Sequence, residues 1–254
     1  MSMGQSSAPG RRAGGLADIA ALRGNRLLAA LPGGALLDLA PHFRQLLLER
    51  GKVLFEPGDD VETTHLPSGG AMVSLVIVTR DGREVEAASI GREGAVGGIV
   101  SAGNKPAYGR AVVQIGGPAL AIATEQLERA KRQHPAISDL FSRYADSLLA
   151  QVMQSVVCNA LHPVEQRACR WLLSTHDRAG TDLLRLTQQG LAEMLGVQRT
   201  TVSSVAKTLE VRGLIRQHHG AVEILDRDGL EDACCECYRA VEDHFRTLLP
   251  EVDS

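Results

Sequence analysis

The chain has 254 residues, long enough for one large domain or two ordinary ones, and at 44% hydrophobic it can bury a sizeable core. Aromatics are only 3%, so that core must be built mainly from Leu, Val, Ile and Ala. The net charge of −3 rules out a chain basic throughout, so any nucleic-acid surface must be local. Five cysteines, no apolar signal segment and no apolar run of membrane-spanning length predict a cytoplasmic protein with reduced thiols and no membrane association.

The polar, glycine-rich start predicts a disordered tail over 1–16. ADIAALRGNRLLAALP and GGALLDLAPHFRQLLLER then read as helices to about residue 50, broken at Pro32-Gly33-Gly34. Over 51–124 glycine becomes frequent and helical periodicity fades. AMVSLVIVT (71–79), Asp81-Gly82 and REVEAAS (83–89) read as strand, turn and strand. RAVVQIGGPALAIAT (110–124) gives two short strands around Gly116-Gly117-Pro118, and strands this closely spaced predict a sandwich or barrel.

From Thr124 the pattern turns helical, with Thr124 a candidate N-cap for TEQLERAKRQ. A second helix starts at Pro135, and 136–161 contain no Gly or Pro. Ile137, Leu140, Phe141, Tyr144, Leu148, Val152 and Val156 recur at helical spacing. A helix of about 39 Å outruns a small domain. Its stripe therefore packs either inside the chain or on a dimer partner, with Phe141, Tyr144, Leu148 and Val152 as candidate interface residues. His162-Pro163 ends it, dividing the chain into an N-terminal unit (17–134), a long helix (135–161) and a C-terminal unit (162–254).

The most specific motif lies at 187–212. Thr187 can cap a short helix, with Leu186 and Leu191 as a hydrophobic staple and Gly196 as the stop. A second helix begins near Gln198 or Arg199. Val202, Val205, Ala206 and Leu209 form its buried stripe, while Thr200, Ser203, Ser204 and Lys207 form an opposite face without acids. A helix entering the major groove needs donors and acceptors for base edges and nothing negative facing phosphate. LIRQHHGAVEIL follows as strand, turn and strand, with His218-His219-Gly220 as the tip. Basic residues outnumber acids between Arg185 and Gly220. These features identify a winged helix-turn-helix binding double-stranded DNA, with Thr187, Gln188, Gln189, Gln198, Arg199, Thr200, Thr201, Ser203, Ser204, Lys207, His218 and His219 as candidate contacts. An ordinary helix pair that meets another protein shares the Leu/Gly frame; it lacks a reason for the acid-free face.

LTQQGLAEMLGVQRTTVSSVAKTLEVRGLI resembles the winged-helix domain of the Crp/Fnr superfamily. NRLLAALP, GKVLFEPGDD and GREVEAASIGREGAVGG look like family segments too. The resemblance implies an α+β chain: an N-terminal double-stranded β-helix (jelly-roll, cyclic-nucleotide-binding-like) barrel, a long dimerisation helix, and the winged helix. It implies a homodimer on a near-palindromic operator and contact with RNA polymerase. Arg199 matches a family base- or phosphate-contacting arginine, whereas Thr200 and Ser204 stand where the best-known relative has a glutamate and a second arginine.

Cyclic-nucleotide-binding members carry a Gly-Glu pair and an Arg-Ser or Arg-Thr pair. Here those positions hold Gly97-Gly98 and Arg110-Ala111, so the carboxylate for the ribose and one phosphate ligand are missing. The effector pocket at Gly97, Gly98 and Arg110 is degenerate, and the effector is another small molecule or none. Iron–sulfur sensing is not expected, since no cysteine precedes Cys158. Cys234-Cys235-Glu236-Cys237 is dense enough for a soft metal with help from the wing histidines, but adjacent cysteines diverge on a helix. We read them as packing thiols, with no metal and no cofactor. No hydrolase, P-loop or metalloprotease motif occurs, so no enzymatic activity is expected.

Overall fold

The computed structural model describes residues 17–98 and 106–249; the tail expected at 1–16 lies outside them. Three short helices open the chain: α1 (Ile19–Arg23), α2 (Arg26–Ala29) and α3 (Gly33–Leu39). Asp18 and Asn25 cap the first two through their side-chain oxygens. The next segment corrects the helical reading of RQLLLER. Arg44–Leu48 is strand β1, paired antiparallel with a strand about 70 residues later. That long-range pairing overrides a weak local preference.

Six more strands build the N-terminal unit: β2 (Val53–Phe55), β3 (Thr63–Pro67), β4 (Met72–Val78), β5 (Glu84–Ile90), β6 (Arg110–Ile115) and β7 (Gly117–Ala123). They form a three-stranded sheet in the order β1-β7-β3 and a four-stranded sheet in the order β2-β6-β4-β5. Leu48 and Ala119 from the first and Val73, Ile90, Ala111 and Val113 from the second share one apolar core. This is the β-sandwich expected of a jelly roll. The predicted hairpin forms at Thr79–Arg83, where Gly82 takes φ +80°. The run MVSLVIV does not alternate in polarity because β4 is covered on both faces. Val73 points into the sandwich, while Met72 and Val76 join the core of the C-terminal unit.

Helix α4 (Thr124–Gln133) follows directly. Thr124 is its first residue, not its cap; its buried hydroxyl lies 3.2 Å from that of Thr64. Helix α5 (Pro135–Leu161) is about 40 Å long. The inward side of α5 changes character along its length. Ile137, Leu140, Phe141 and Tyr144 come first, then Ser147, Gln151, Ser155 and Cys158. Phe141 and Tyr144, expected at a dimer interface, are about 1% exposed within their own chain. The Tyr144 hydroxyl donates to the Ala95 carbonyl at 3.0 Å, over a glycine (Gly94) whose Cβ would strike the ring. Leu148 and Val152 are half-buried. The outward apolar side is instead Leu149, Met153, Val156, Val157 and Leu161.

The C-terminal unit contains α6 (Val164–Ala179), β8 (Leu183–Leu184), α7 (Gln188–Leu195), α8 (Arg199–Val211), β9 (Ile215–His218), β10 (Ala221–Ile224), α9 (Arg227–Ala233) and α10 (Cys237–Leu248). Its strands form a small antiparallel sheet in the order β8-β10-β9. Helix α6 lies against β4 through Trp171 and Leu172. Polar contacts cross the same seam. The Trp171 indole donates to Glu86 at 3.0 Å, and Arg178 pairs with Glu93 at 2.7 Å in near-complete burial. Burial raises the Glu86 carboxyl above the usual carboxylate range, against hydrogen bonds from Ser74 and Trp171. None of the described helices is long and apolar enough to cross a membrane.

Candidate nucleic-acid interface

The helix pair α7–α8 forms where the sequence places it. Thr187 caps α7 by accepting a hydrogen bond from the Gly190 amide at 3.0 Å. Gly196 closes the helix at φ +64°, the left-handed conformation that an L side chain resists. Leu186 and Leu191 are buried in one cluster with Leu195, Val202, Ala206 and Leu209. That shared core fixes the angle between the two helices, so the opposite side of α8 is presented to solvent.

Gln198, Arg199, Thr200, Ser204 and Lys207 are exposed, and Thr201 is half-buried. Arg199 and Lys207 make no ion pair among the described residues, whereas Arg212 is bound to Glu165 and Arg216 to Glu223. The free positive charge therefore concentrates at the start and middle of α8. Thr187, Gln189, Arg199, His218 and His219 line a cleft of about 370 Å³ between the helix pair and the wing. The wing is the β9–β10 hairpin, turned at His219-Gly220 with Gly220 at φ +73°.

Two predicted contacts are already committed within the chain. Ser203 Oγ donates to Gln188 Oε1 at 2.6 Å, and Gln188 Nε2 donates to Gln217 Oε1 at 2.6 Å. The Gln217 backbone amide and side chain both donate to Glu210, at 2.8 and 3.1 Å. Those two hydrogen bonds hold the Glu210 carboxyl below its ordinary range and keep it charged. This chain of bonds joins α7, α8 and β9, so Ser203 and Gln188 set the wing's position relative to α8. Sequence periodicity cannot reveal it, because Gln217 and Gln188 are 29 residues apart.

Gln189 donates to Glu193 at 2.8 Å, and His218 lies 2.9 Å from Glu223. Gln189 and Gln198 also border a second cleft of about 800 Å³, closed on its far side by Thr79, Gly82, Arg83 and Glu84 of the β4–β5 hairpin. The helix-turn-helix thus rests on the β2-β6-β4-β5 sheet. A Cβ added to Gly196 would lie 2.9 Å from Val85 Cγ2.

The effector-pocket candidates Gly97, Gly98 and Arg110 are each accounted for by local structure. Gly97 and Gly98 take φ +89° and +63°, and a Cβ on either would collide with Val61 or Thr124. The backbone alone accounts for both. Arg110 is paired with Glu56 at 2.8 Å and with Glu84. A guanidinium clasped by two carboxylates has little positive field left for a phosphate.

The C-terminal thiols Cys235 and Cys237 are buried: they meet Cys158 and His162 from the end of α5, and the wing histidines are not in this group.

Residues 166–233 match the model of the Crp-like helix-turn-helix domain. The chain is 29% identical over 186 residues to the global nitrogen regulator of Nostoc sp., covering 69% of this chain and 82% of that one. It is 26% identical to the protein of the same name from Synechococcus elongatus, over 70% and 84% of the two chains. Among solved structures, FixK2 from Bradyrhizobium japonicum superposes with a TM-score of 0.65 at 16% identity, covering 76% of this chain and 98% of that one. A Crp/Fnr-family transcriptional regulator from Thermus thermophilus gives 0.62 at 21% identity, over 75% and 97%. The helix-turn-helix, the sandwich before it and these likenesses agree: residues 166–233 form a Crp-like helix-turn-helix domain, and the chain has the fold of the Crp/Fnr-type regulators it resembles.

Proposed function

We propose that the protein acts as a homodimer on a near-palindromic operator, with one α8 in each of two successive major grooves. The observation that carries this reading is the exposed, acid-free face of α8, on which Arg199, Thr200, Ser204 and Lys207 stand together. Arg199 is the base reader, through the paired donors of its guanidinium, and Lys207 a phosphate contact. Thr187, Gln189 and His219 approach the backbone from the rim of the wing cleft. Thr200 and Ser204 make single short hydrogen bonds, which gives this protein an operator of its own. Leu149, Met153, Val156 and Leu161 meet the same residues of a second chain across a two-fold axis. Contact with RNA polymerase, and a cytoplasmic location beside the chromosome, belong to the same proposal and rest on the resemblance to activating relatives.

The effector is not a cyclic nucleotide. Glu56 and Glu84 occupy the arginine such a ligand would need, and Gly98 supplies no carboxylate. Gel-shift titration with purified protein tests the reading. Arg199→Ala is expected to cost about 1–3 kcal/mol and to relax preference at one base pair, while Lys207→Ala weakens all sequences alike and lowers the salt dependence. Cyclic AMP and cyclic GMP leave both curves unchanged. Equal affinity for wild type and both variants would overturn it.

A further inference from the structure

At the C-terminal end of α5 four side chains converge from two distant stretches of chain. Cys158 and His162 stand one helical turn apart, Cys235 lies in the turn between α9 and α10, and Cys237 is the first residue of α10. One donor atom from each lies within 4.8 Å of all the others. Cys158 Sγ and Cys235 Sγ are 3.6 Å apart, and Cys237 Sγ is 3.4 Å from His162 Nδ1. The thiols are at most 5% exposed.

A tetrahedral zinc with Zn–S of about 2.3 Å and Zn–N of about 2.0 Å has S···S edges near 3.8 Å and S···N edges near 3.5 Å. The two measured separations fall close to both values. A multi-iron cluster would hold its thiolates across the cluster's width, farther apart than this group allows. The donor set, soft thiolates with one imidazole, suits zinc over magnesium or calcium.

The surroundings fit the same purpose. Glu236 Oε1 lies 3.4 Å from His162 Nε2, the ring nitrogen facing away from the thiols. A carboxylate there fixes the tautomer that leaves Nδ1 free to ligate. Gln154 Nε2 donates to Cys237 Sγ at 3.0 Å. Arg167 and Arg170 lie within electrostatic reach of the thiols, and the Nε of each is buried without a hydrogen-bond partner among the described residues. Cys234, next in sequence to Cys235, packs beside the cluster with its Sγ 3.8 Å from the Gln166 carbonyl, and it is not one of the four converging donors.

We infer that Cys158, His162, Cys235 and Cys237 form a Cys3His site for one zinc ion. On binding, the three thiols give up their protons to solvent, and the neutral imidazole completes a closed coordination shell with net charge −1. All four positions are filled by protein, so the ion is structural. It fastens α9–α10, and with them the winged helix, to the end of the long helix.

The test uses the full chain, purified without a chelating column under reducing conditions. Elemental analysis is expected to give about one zinc per chain. Replacement by Co(II) is expected to give the visible bands of a tetrahedral thiolate site. Cys235→Ser and His162→Ala lose stoichiometric metal, Cys234→Ser keeps it, and Glu236→Gln weakens affinity by roughly 10- to 100-fold. Wild type and Glu236→Gln decide the matter even if the ligand variants fail to fold. Substoichiometric zinc in folded, zinc-reconstituted protein would overturn the assignment. So would equal metal loss in Cys234→Ser and Cys235→Ser, or a Cys158–Cys235 disulfide in anaerobically isolated protein.

Discussion

Met153 and Leu149 offer a quantitative handle on dimerisation. They are 62% and 57% exposed in the single chain and lie one turn apart on the outer side of α5. Burying a Met or Leu side chain completely contributes about 1.5–3 kcal/mol, so covering the remaining half or so contributes about 1–2 kcal/mol. Across a two-fold axis each substitution is made twice. Met153→Ala alone should therefore weaken the dimer by about 2–4 kcal/mol, or roughly 30- to 1000-fold in its dissociation constant. Sedimentation velocity over a concentration series measures this directly. Urea unfolding of the monomer should change by no more than about 0.5 kcal/mol, since most of the side chain is exposed in its own chain. Leu37→Ala, equally exposed but on α3, is the control and should leave association unchanged. A Met153→Ala, Leu149→Ala double variant that stays folded and dimerises like wild type would refute the reasoning.

Other outcomes follow from single contacts. Thr187→Ala removes the bond to the Gly190 amide and should lower stability by about 1 kcal/mol in urea denaturation; no loss would mean the cap is idle. Gly196→Ala should cost about 1–2 kcal/mol for the left-handed backbone alone, plus a steric share from Val85. Adding Val85→Ala should restore only the steric share beyond its own cost, which a double-mutant cycle by thermal unfolding would show. Glu86→Gln keeps the Trp171 bond on its carbonyl, meets Ser74 with its amide NH2 once that hydroxyl turns to accept, and cannot ionise. Because burial raises the Glu86 pKa in the folded state, the wild type loses stability as pH rises through that value, and the variant does not. The stability difference should therefore move in favour of Glu86→Gln as pH rises above the ordinary carboxylate range, and a constant difference would contradict the buried carboxyl.

What the sequence discloses depends on how local the cause is. The helix pair is legible because its determinants sit within 25 residues: a capping threonine, a left-handed glycine and a stripe with period 3.6. Strand β1 is not, because RQLLL acquires its strand conformation only by pairing with residues 117–121. The long helix is legible as a helix but misleading in its face. Its apolar residues drift around the axis, so Phe141 and Tyr144 close the chain's own core while Met153 and Val156 point away from it. The stripe from Ile137 to Val156 joins residues that end on different sides. The sulfur cluster shows the same limit. Cys235 and Cys237 are visible as a dense run, but their partner Cys158 is 77 residues away, and only the packing of α10 on α5 brings them together.

Selection of binding sites from random duplex DNA by the purified protein, followed by a salt titration on the enriched sequence, tests the central claim most directly. A two-fold-symmetric site should emerge, with half-site centres about 34 Å apart and affinity falling steeply with salt. Arg199→Ala should lose preference at one position in each half-site. The contrary result would be no enriched sequence, or binding that ignores both salt and the residues on the face of α8.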